Sequence, residues 1–135
     1  MKVTAQQLCD NILRIMDRVK ACHLQEAEKH NLTKVQVFAL YSIARHGELP
    51  MGQVAHVLHC DASNVTGIVD RMVTQGLIER HECPTDRRAK RLKLTEKGQQ
   101  IVQDLQGSLP GCTGVGKLTA DERETLSYLL QKMDA

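Results

Sequence analysis

Aromatic side chains are nearly missing from this 135-residue chain, which has one Phe, two Tyr and no Trp. That scarcity argues against the stacking platforms on which single-strand and RNA binders lay out bases. It also leaves the core to aliphatic residues, within a hydrophobic share of 41%. No apolar run approaches the ~20 residues of a membrane-crossing helix, and no signal-peptide pattern opens the chain. A cytoplasmic protein with no membrane partner is therefore expected. Five cysteines, an odd number without CxxC spacing, do not form a secreted disulfide framework, so reduced thiols are the expectation. A Gly-rich phosphate loop, a GxSxG elbow, an HExxH pair and a dinucleotide fingerprint are all lacking. Hence no catalytic residue, cofactor or metal ligand is assigned, and enzyme activity is not expected.

What the chain does have is positive charge gathered in one place. From Arg80 to Lys93 there are six Lys or Arg against two acids, a local net of +4 in a chain of net +2, so the remainder nets −2. Concentration of that kind suits a polyanionic partner better than a general need for solubility.

Around this segment the periodicity predicts a mainly α protein with a small β-hairpin. Leu8, Ile12, Ile15, Met16, Val19 and Cys22 fall at helical spacing in a long helix over 6–30. Thr33-Lys34-Val35-Gln36 is a capping box opening a second helix to about Arg45, and Gly47-Glu48-Leu49-Pro50 reads as a turn. A short helix spans Met51 to Leu58. After a corner at His59-Cys60-Asp61, another helix runs to about Gln75, capped by Asp61 or Ser63 and stopped by Gly76. Leu77–Cys83 and Lys90–Leu94 read as strands joined by a loop over 84–87. Thr95 caps a further helix that is broken around Gly107-Ser108-Leu109-Pro110-Gly111, and the box Thr119-Ala120-Asp121-Glu122 opens the last one, with Leu126, Leu129, Leu130 and Met133 inward.

Short helix, corner, second helix and basic hairpin make a winged helix-turn-helix. In such a unit the second helix offers its first polar residues to base edges in the major groove, and the hairpin reaches neighbouring phosphates. Here Ser63, Asn64, Thr66 and Gly67 are the candidate base readers, and Arg71 the backbone clamp. Arg87, Arg88 and Lys90 are the candidate phosphate anchors on the wing. The plainer alternatives are a solvated charged hairpin, and an Arg88 that shapes the wing by pairing with Asp86. The apolar stripes of both end helices lie outside the helix-turn-helix core. A two-fold homodimer would bury them and would set two recognition helices about one DNA turn, ~34 Å, apart on a pseudo-palindromic duplex operator. The organisation expected is a single domain over 1–135, with dimerisation helices at 6–30 and 96–135 and the DNA-binding lobe at 33–95.

Asp86-x-Arg88, followed by the alternation ending Leu92-Lys93-Leu94-Thr95, resembles the wing signature of the MarR family. Leu32-Thr33…Gln36…Ala39-Leu40 and Asp70-Arg71-Met72…Gly76-Leu77-Ile78 are similar to that family's second and recognition helices. The resemblance implies a homodimeric transcriptional regulator, usually a repressor, whose DNA binding is weakened by an effector or oxidant. The surroundings of Cys9 and Cys112 resemble those of the family's two-cysteine organic-hydroperoxide sensors, which implies oxidation of Cys9 and capture by Cys112 of the other subunit. His23 and Lys34 stand where that subgroup carries tyrosines, and Cys9 has the alternative reading of a small buried apolar residue. Cys22, Cys60 and Cys83 are read as structural. Metal-responsive control through His56, His59 and Cys60, or through Cys22, His23, Glu26 and His30, is an alternative. So are a small-molecule effector meeting Arg14, Arg18 or His23, and a winged-helix protein-interaction module that leaves DNA alone.

Overall fold

A computed structural model describes residues 2–58 and 61–135, with Ala62, Ser63, Arg87 and Arg88 described in their backbone alone. The corner residues His59 and Cys60, and with them one of the metal alternatives, lie outside the described residues. The elements in chain order are α1 Ala5–Lys29, α2 Lys34–His46, β1 Glu48–Pro50, α3 Met51–Leu58, α4 Ala62–Thr74, β2 Ile78–Cys83, β3 Asp86–Leu94, α5 Glu96–Thr113 and α6 Ala120–Asp134. This is the mainly helical winged helix-turn-helix that the sequence predicts.

Local chemistry sets most of the boundaries. Thr33 and Gln36 exchange side-chain-to-backbone bonds of 3.0 and 3.2 Å at the start of α2, and Thr119 and Glu122 do the same at 2.8 and 3.2 Å before α6. Thr4 and Gln7 form a third such pair ahead of α1. Each satisfies two amides that the first turn of a helix leaves without partners. The helix α1 ends on Asn31 at φ 55, with Leu32 N–H donating to Ala27 C=O at 2.8 Å. The helix α4 ends in the same way on Gly76 at φ 74, with Leu77 N–H donating to Met72 C=O at 3.0 Å. These are left-handed stops that satisfy the last carbonyls.

Two expectations differ from the structure. The predicted turn at Gly47–Pro50 contains the strand β1, whose Glu48, Leu49 and Pro50 pair with Lys93, Leu92 and Arg91. The wing is accordingly a three-stranded antiparallel sheet of order β1-β3-β2, and Pro50 is tolerated because β1 is an edge strand. The predicted break near Gly107 does not occur, and α5 continues through Pro110 to Thr113. Proline removes one internal hydrogen bond without ending the helix; Gly114, at φ 85, ends it.

The chain divides into two compact units, one within Met1–Cys22 and Gly107–Ala135, the other spanning His23–Gln106. The second holds α2, β1, α3, α4 and the wing. Every buried hydrophobic side chain among the described residues belongs to it, from Ala27 to Leu105. Leu40, Ile43, Leu49, Met72, Leu77, Ile78 and Leu92 are among its most enclosed members. The first unit holds the start of α1, the end of α5 and α6. Among its described residues it buries no large apolar side chain: Leu8, Ile12, Ile15 and Met16 on α1 and Leu129, Leu130 and Met133 on α6 are between 38% and 65% exposed. The inward positions expected for α6 are therefore open in the single chain, Leu126 being half-buried.

Candidate nucleic-acid interface

Apolar periodicity fixes which face of α4 looks outward. Val65, Val69 and Met72 are buried, at 4%, 2% and 1%, which turns Asn64, Thr66, Gly67, Asp70 and Arg71 to the surface. Asn64, Gly67 and Arg71, spaced three and four residues apart, share one line along the helix. A Cβ placed at Gly67 would meet nothing within 4 Å, so the helix backbone there is open to an approaching partner. Ser63 is the second residue of α4, and its side chain lies outside the described set. The N-cap position is Asp61, which contributes backbone bonds and no side-chain cap.

The wing follows directly from the α4 stop. Thr95 Oγ1 donates to Gly76 C=O at 2.6 Å, Thr95 N–H donates to Leu77 C=O at 3.0 Å, and Lys97 Nζ donates to Gln75 C=O at 3.0 Å. The end of α4 is thus held by the residues that leave β3. Along the sheet, β2 and β3 pair from Ile78↔Leu94 to Glu82↔Lys90 in one register, then shift so that Cys83 faces Asp86. Arg87, Arg88 and Ala89 occupy that irregularity. The tight turn is Pro84-Thr85, so the two arginines follow the turn instead of forming it.

Among the described side chains of the wing, three cations are paired with carboxylates. Arg80 Nη2 donates to Asp70 Oδ1, Lys90 Nζ lies 3.2 Å from Glu82 Oε1, and Arg91 Nη1 lies 3.6 Å from Glu48 Oε2. The Lys90–Glu82 pair is 44% and 60% exposed on its two side chains. Such pairs are worth at most about 1 kcal/mol, so Lys90 can exchange its carboxylate for a phosphate at little cost. The Asp70–Arg80 pair was not foreseen: it ties the exposed face of α4 to the second residue after Ile78 on β2. An open cavity of about 470 Å³ flanks the hairpin beside Cys83, Thr85, His81 and Arg91. There the Cys83 thiol is pulled below its usual range by its hydrogen bonds with Thr85, 3.2 Å away, with a smaller contribution from the Arg91 charge.

The cysteines depart most from expectation. Cys112, read as the resolving partner of Cys9 and as a reduced thiol, is bonded to Cys22 of its own chain, with 6.2 Å between the Cα atoms. Cys22, read as filler, is that partner. Cys9 is free and exposed in the single chain, and Cys83 is free and half-buried. Cys9 lies thirteen residues, about three and a half turns, before Cys22 on α1. His23 stands near Tyr41, its Nε2 3.4 Å from the hydroxyl. Burial lowers the His23 pKa and, together with the Glu26 charge, raises that of Tyr41.

A polar helix face with an open glycine, joined to a basic β-wing, defines a winged helix-turn-helix protein of the nucleic-acid-binding class. Residues 32–90 match the MarR family model. The chain is 28% identical over 133 residues to the HTH-type transcriptional repressor NicR of Pseudomonas putida, covering 95% of this chain and 82% of that protein. Among solved structures, the transcriptional regulator Tm0710 of Thermotoga maritima is 25% identical with a TM-score of 0.75, over 95% of this chain and 92% of that one. BpsR of Bordetella bronchiseptica, described with regulation of its DNA binding by 6-hydroxynicotinic acid, is 26% identical with a TM-score of 0.64, over 96% and 99%. Over residues 32–90, from α2 into the wing, the chain matches the MarR family, and the proteins it resembles over nearly its full length are transcriptional regulators.

Proposed function

We propose that the chain acts as a homodimeric, cytoplasmic repressor that holds a pseudo-palindromic duplex operator and lets go when an effector binds or an oxidant reacts. In this reading Ser63, Asn64, Thr66 and Gly67 meet base edges, while Arg71, Arg87, Arg88 and Lys90 anchor phosphates. The observation that carries it is the Asp70–Arg80 ion pair. It fastens the polar face of α4 to the wing, so that helix and hairpin address one duplex as a single surface. Repression is supported by the likeness to the Pseudomonas putida repressor.

Dimerisation is supported by the first unit, which buries no hydrophobic residue among its described residues. Apolar stripes on α1 and α6 left open to this extent are what a second copy would cover. Release by a small molecule is supported by the likeness to BpsR, described with 6-hydroxynicotinic acid. An anionic aromatic compound is therefore the first effector class to try.

The test is a fluorescence-anisotropy titration on a duplex that the protein itself selects from a random-sequence pool, repeated across salt concentrations. With three to five phosphate contacts per subunit, log affinity should fall steeply against log salt, with a slope of about −0.9 per contact. Arg87→Glu combined with Arg88→Glu should abolish binding. Salt-insensitive binding, or none, would overturn the proposal. A variant that lost DNA but kept a protein partner would point to an interaction module instead.

A further inference from the structure

We propose that Gln36 of α2 and Gln75 at the end of α4 are the positioning pair of the DNA-reading helix. Their joined amides set the rotation of α4 about its own axis, and with it the base preference of the regulator. The inference rests on the operator-binding reading above and names what aims that surface.

Gln36 is 2% exposed and is one of two buried polar side chains among the described residues. The other, Ser42, bonds within its own helix, its Oγ donating to Phe38 C=O at 2.9 Å. Gln36 reaches a different element. Its Oε1 accepts the Thr33 N–H at 3.0 Å, which closes the capping box of α2, and its Nε2 donates to Gln75 Oε1 at 3.0 Å. Gln75 Nε2 in turn donates to Asn31 C=O at 3.5 Å. Two glutamines thus join the loop between α1 and α2 to the end of α4, all within the unit His23–Gln106. A backbone N–H only donates and a backbone C=O only accepts. With Thr33 at one end and Asn31 at the other, each amide has a single orientation that satisfies every link.

The capping box alone does not require glutamine at this position. Glutamate completes the same box, and its carboxylate has no N–H to give Gln75. The amide nitrogen of Gln36 therefore serves α4.

Gln75 lies four residues after Arg71, on the line that carries Asn64 and Gly67, and its N–H donates to Arg71 C=O at 2.9 Å. Its own C=O accepts Lys97 Nζ at 3.0 Å. The Asp70–Arg80 pair holds α4 from another side: five residues of helix separate Asp70 from Gln75, or about 140° around the axis. Two ties at different angles resist rolling of the helix. A roll of about 20°, at a radius of about 5 Å, carries a side chain about 2 Å. That exceeds the tolerance of a hydrogen bond to a base edge. Long Arg and Lys side chains on phosphates follow such a shift easily. Loss of the Gln36–Gln75 bond therefore lowers discrimination more than general affinity.

The experiment uses the full chain and two duplexes of equal length, one selected by the wild-type protein from a random-sequence pool and one unrelated. Anisotropy gives the ratio of the two affinities. Gln36→Glu keeps the capping box and removes the donor; Gln75→Lys sets a donor against Gln36 Nε2. Each should lower the ratio about ten-fold, and Gln36→Glu should leave the unrelated duplex within about two-fold of wild type. In the double variant the introduced carboxylate accepts from both Thr33 N–H and the introduced ammonium, which also reaches Asn31 C=O. Most of the ratio should return. Should Gln36→Glu not fold, Gln75→Met removes the same bond at a half-buried position and should give the same loss. An unchanged ratio in the single variants would overturn the proposal, as would a double variant no better than either. A fall on both duplexes in step with the urea midpoint would make the pair a folding contact and overturn it too. If the wild-type chain selects no duplex, the operator-binding reading falls and takes the positioning role with it. A selected duplex that every variant discriminates as well as wild type overturns the positioning role alone.

Discussion

Arg80 of β2 donates a hydrogen bond to the carboxylate of Asp70, the residue on α4 directly before Arg71. The pair spans the left-handed stop at Gly76 and fixes how far the wing swings from the recognition helix. Because the side chains are 35% and 56% exposed, the contribution to folding should stay below about 1 kcal/mol. The effect on DNA should be larger than that, since a loosened wing loses phosphate contacts together. Asp70→Asn is predicted to leave the urea midpoint nearly unchanged and to weaken operator binding. The double substitution Asp70→Arg, Arg80→Asp should recover part of the loss. Equal losses of stability and affinity would make the pair a folding contact only.

The two helical glycines Gly67 and Gly98 should respond in opposite directions to alanine. A Cβ on Gly98 would overlap the Leu77 carbonyl oxygen and sit 3.4 Å from Leu94 Cδ2. That carbonyl also accepts the Thr95 N–H, so it cannot swing aside freely. Gly98→Ala should cost about 1–3 kcal/mol or more in chemical denaturation. Gly67→Ala meets empty space and should stabilise α4 by up to about 1 kcal/mol while weakening DNA binding, if the duplex comes close to that backbone.

How much of this was legible in the sequence follows from the range of the forces involved. The boxes at Thr33–Gln36 and Thr119–Glu122 and the stop at Gly76 are made by residues a few positions apart, and each appears where the sequence put it. The strand β1 was hidden because Glu48–Pro50 gains its partners from Arg91–Lys93, more than forty residues later, against two local turn formers. The α5 break failed for the converse reason. Gly107, Pro110 and Gly111 are local breakers, yet the chain keeps its helix to Thr113, where the Arg18 bond and the Cys22 disulfide hold it. Of the candidate site, the outward polar face of α4 could be read from apolar periodicity alone. Its ion pair with β2 and the true partner of Cys112 depend on proximity that spacing does not encode.

Burial holds the His23 pKa below its ordinary value of 6.5, so the folded chain keeps this imidazole neutral beside Tyr41. The unfolded chain takes up its proton as pH falls through about 6.5, and folding loses stability from there downward until the lower folded value is crossed. Urea denaturation between pH 7.5 and 5 should show this decline, and His23→Gln should flatten it. An unchanged slope in the variant would mean that other groups carry the acid sensitivity.

Reducing the Cys22–Cys112 bond should act unevenly along the chain. The bond closes a loop across 90 positions, and restricting the unfolded chain over a loop of that size contributes about 4–5 kcal/mol in the chain-entropy account. The unit His23–Gln106 carries the entire buried hydrophobic core among the described residues, so it should remain folded after reduction. The other unit, with its apolar faces open and its tie removed, should loosen first. Hydrogen exchange followed by peptide mass spectrometry can separate the two cases. Reduction is predicted to speed exchange in the first turns of α1, the end of α5 and α6, with little change in α2, α4 or the wing. Uniform acceleration over all helices would mean that the bond stabilises the fold as a whole and does not act on the helices proposed to dimerise.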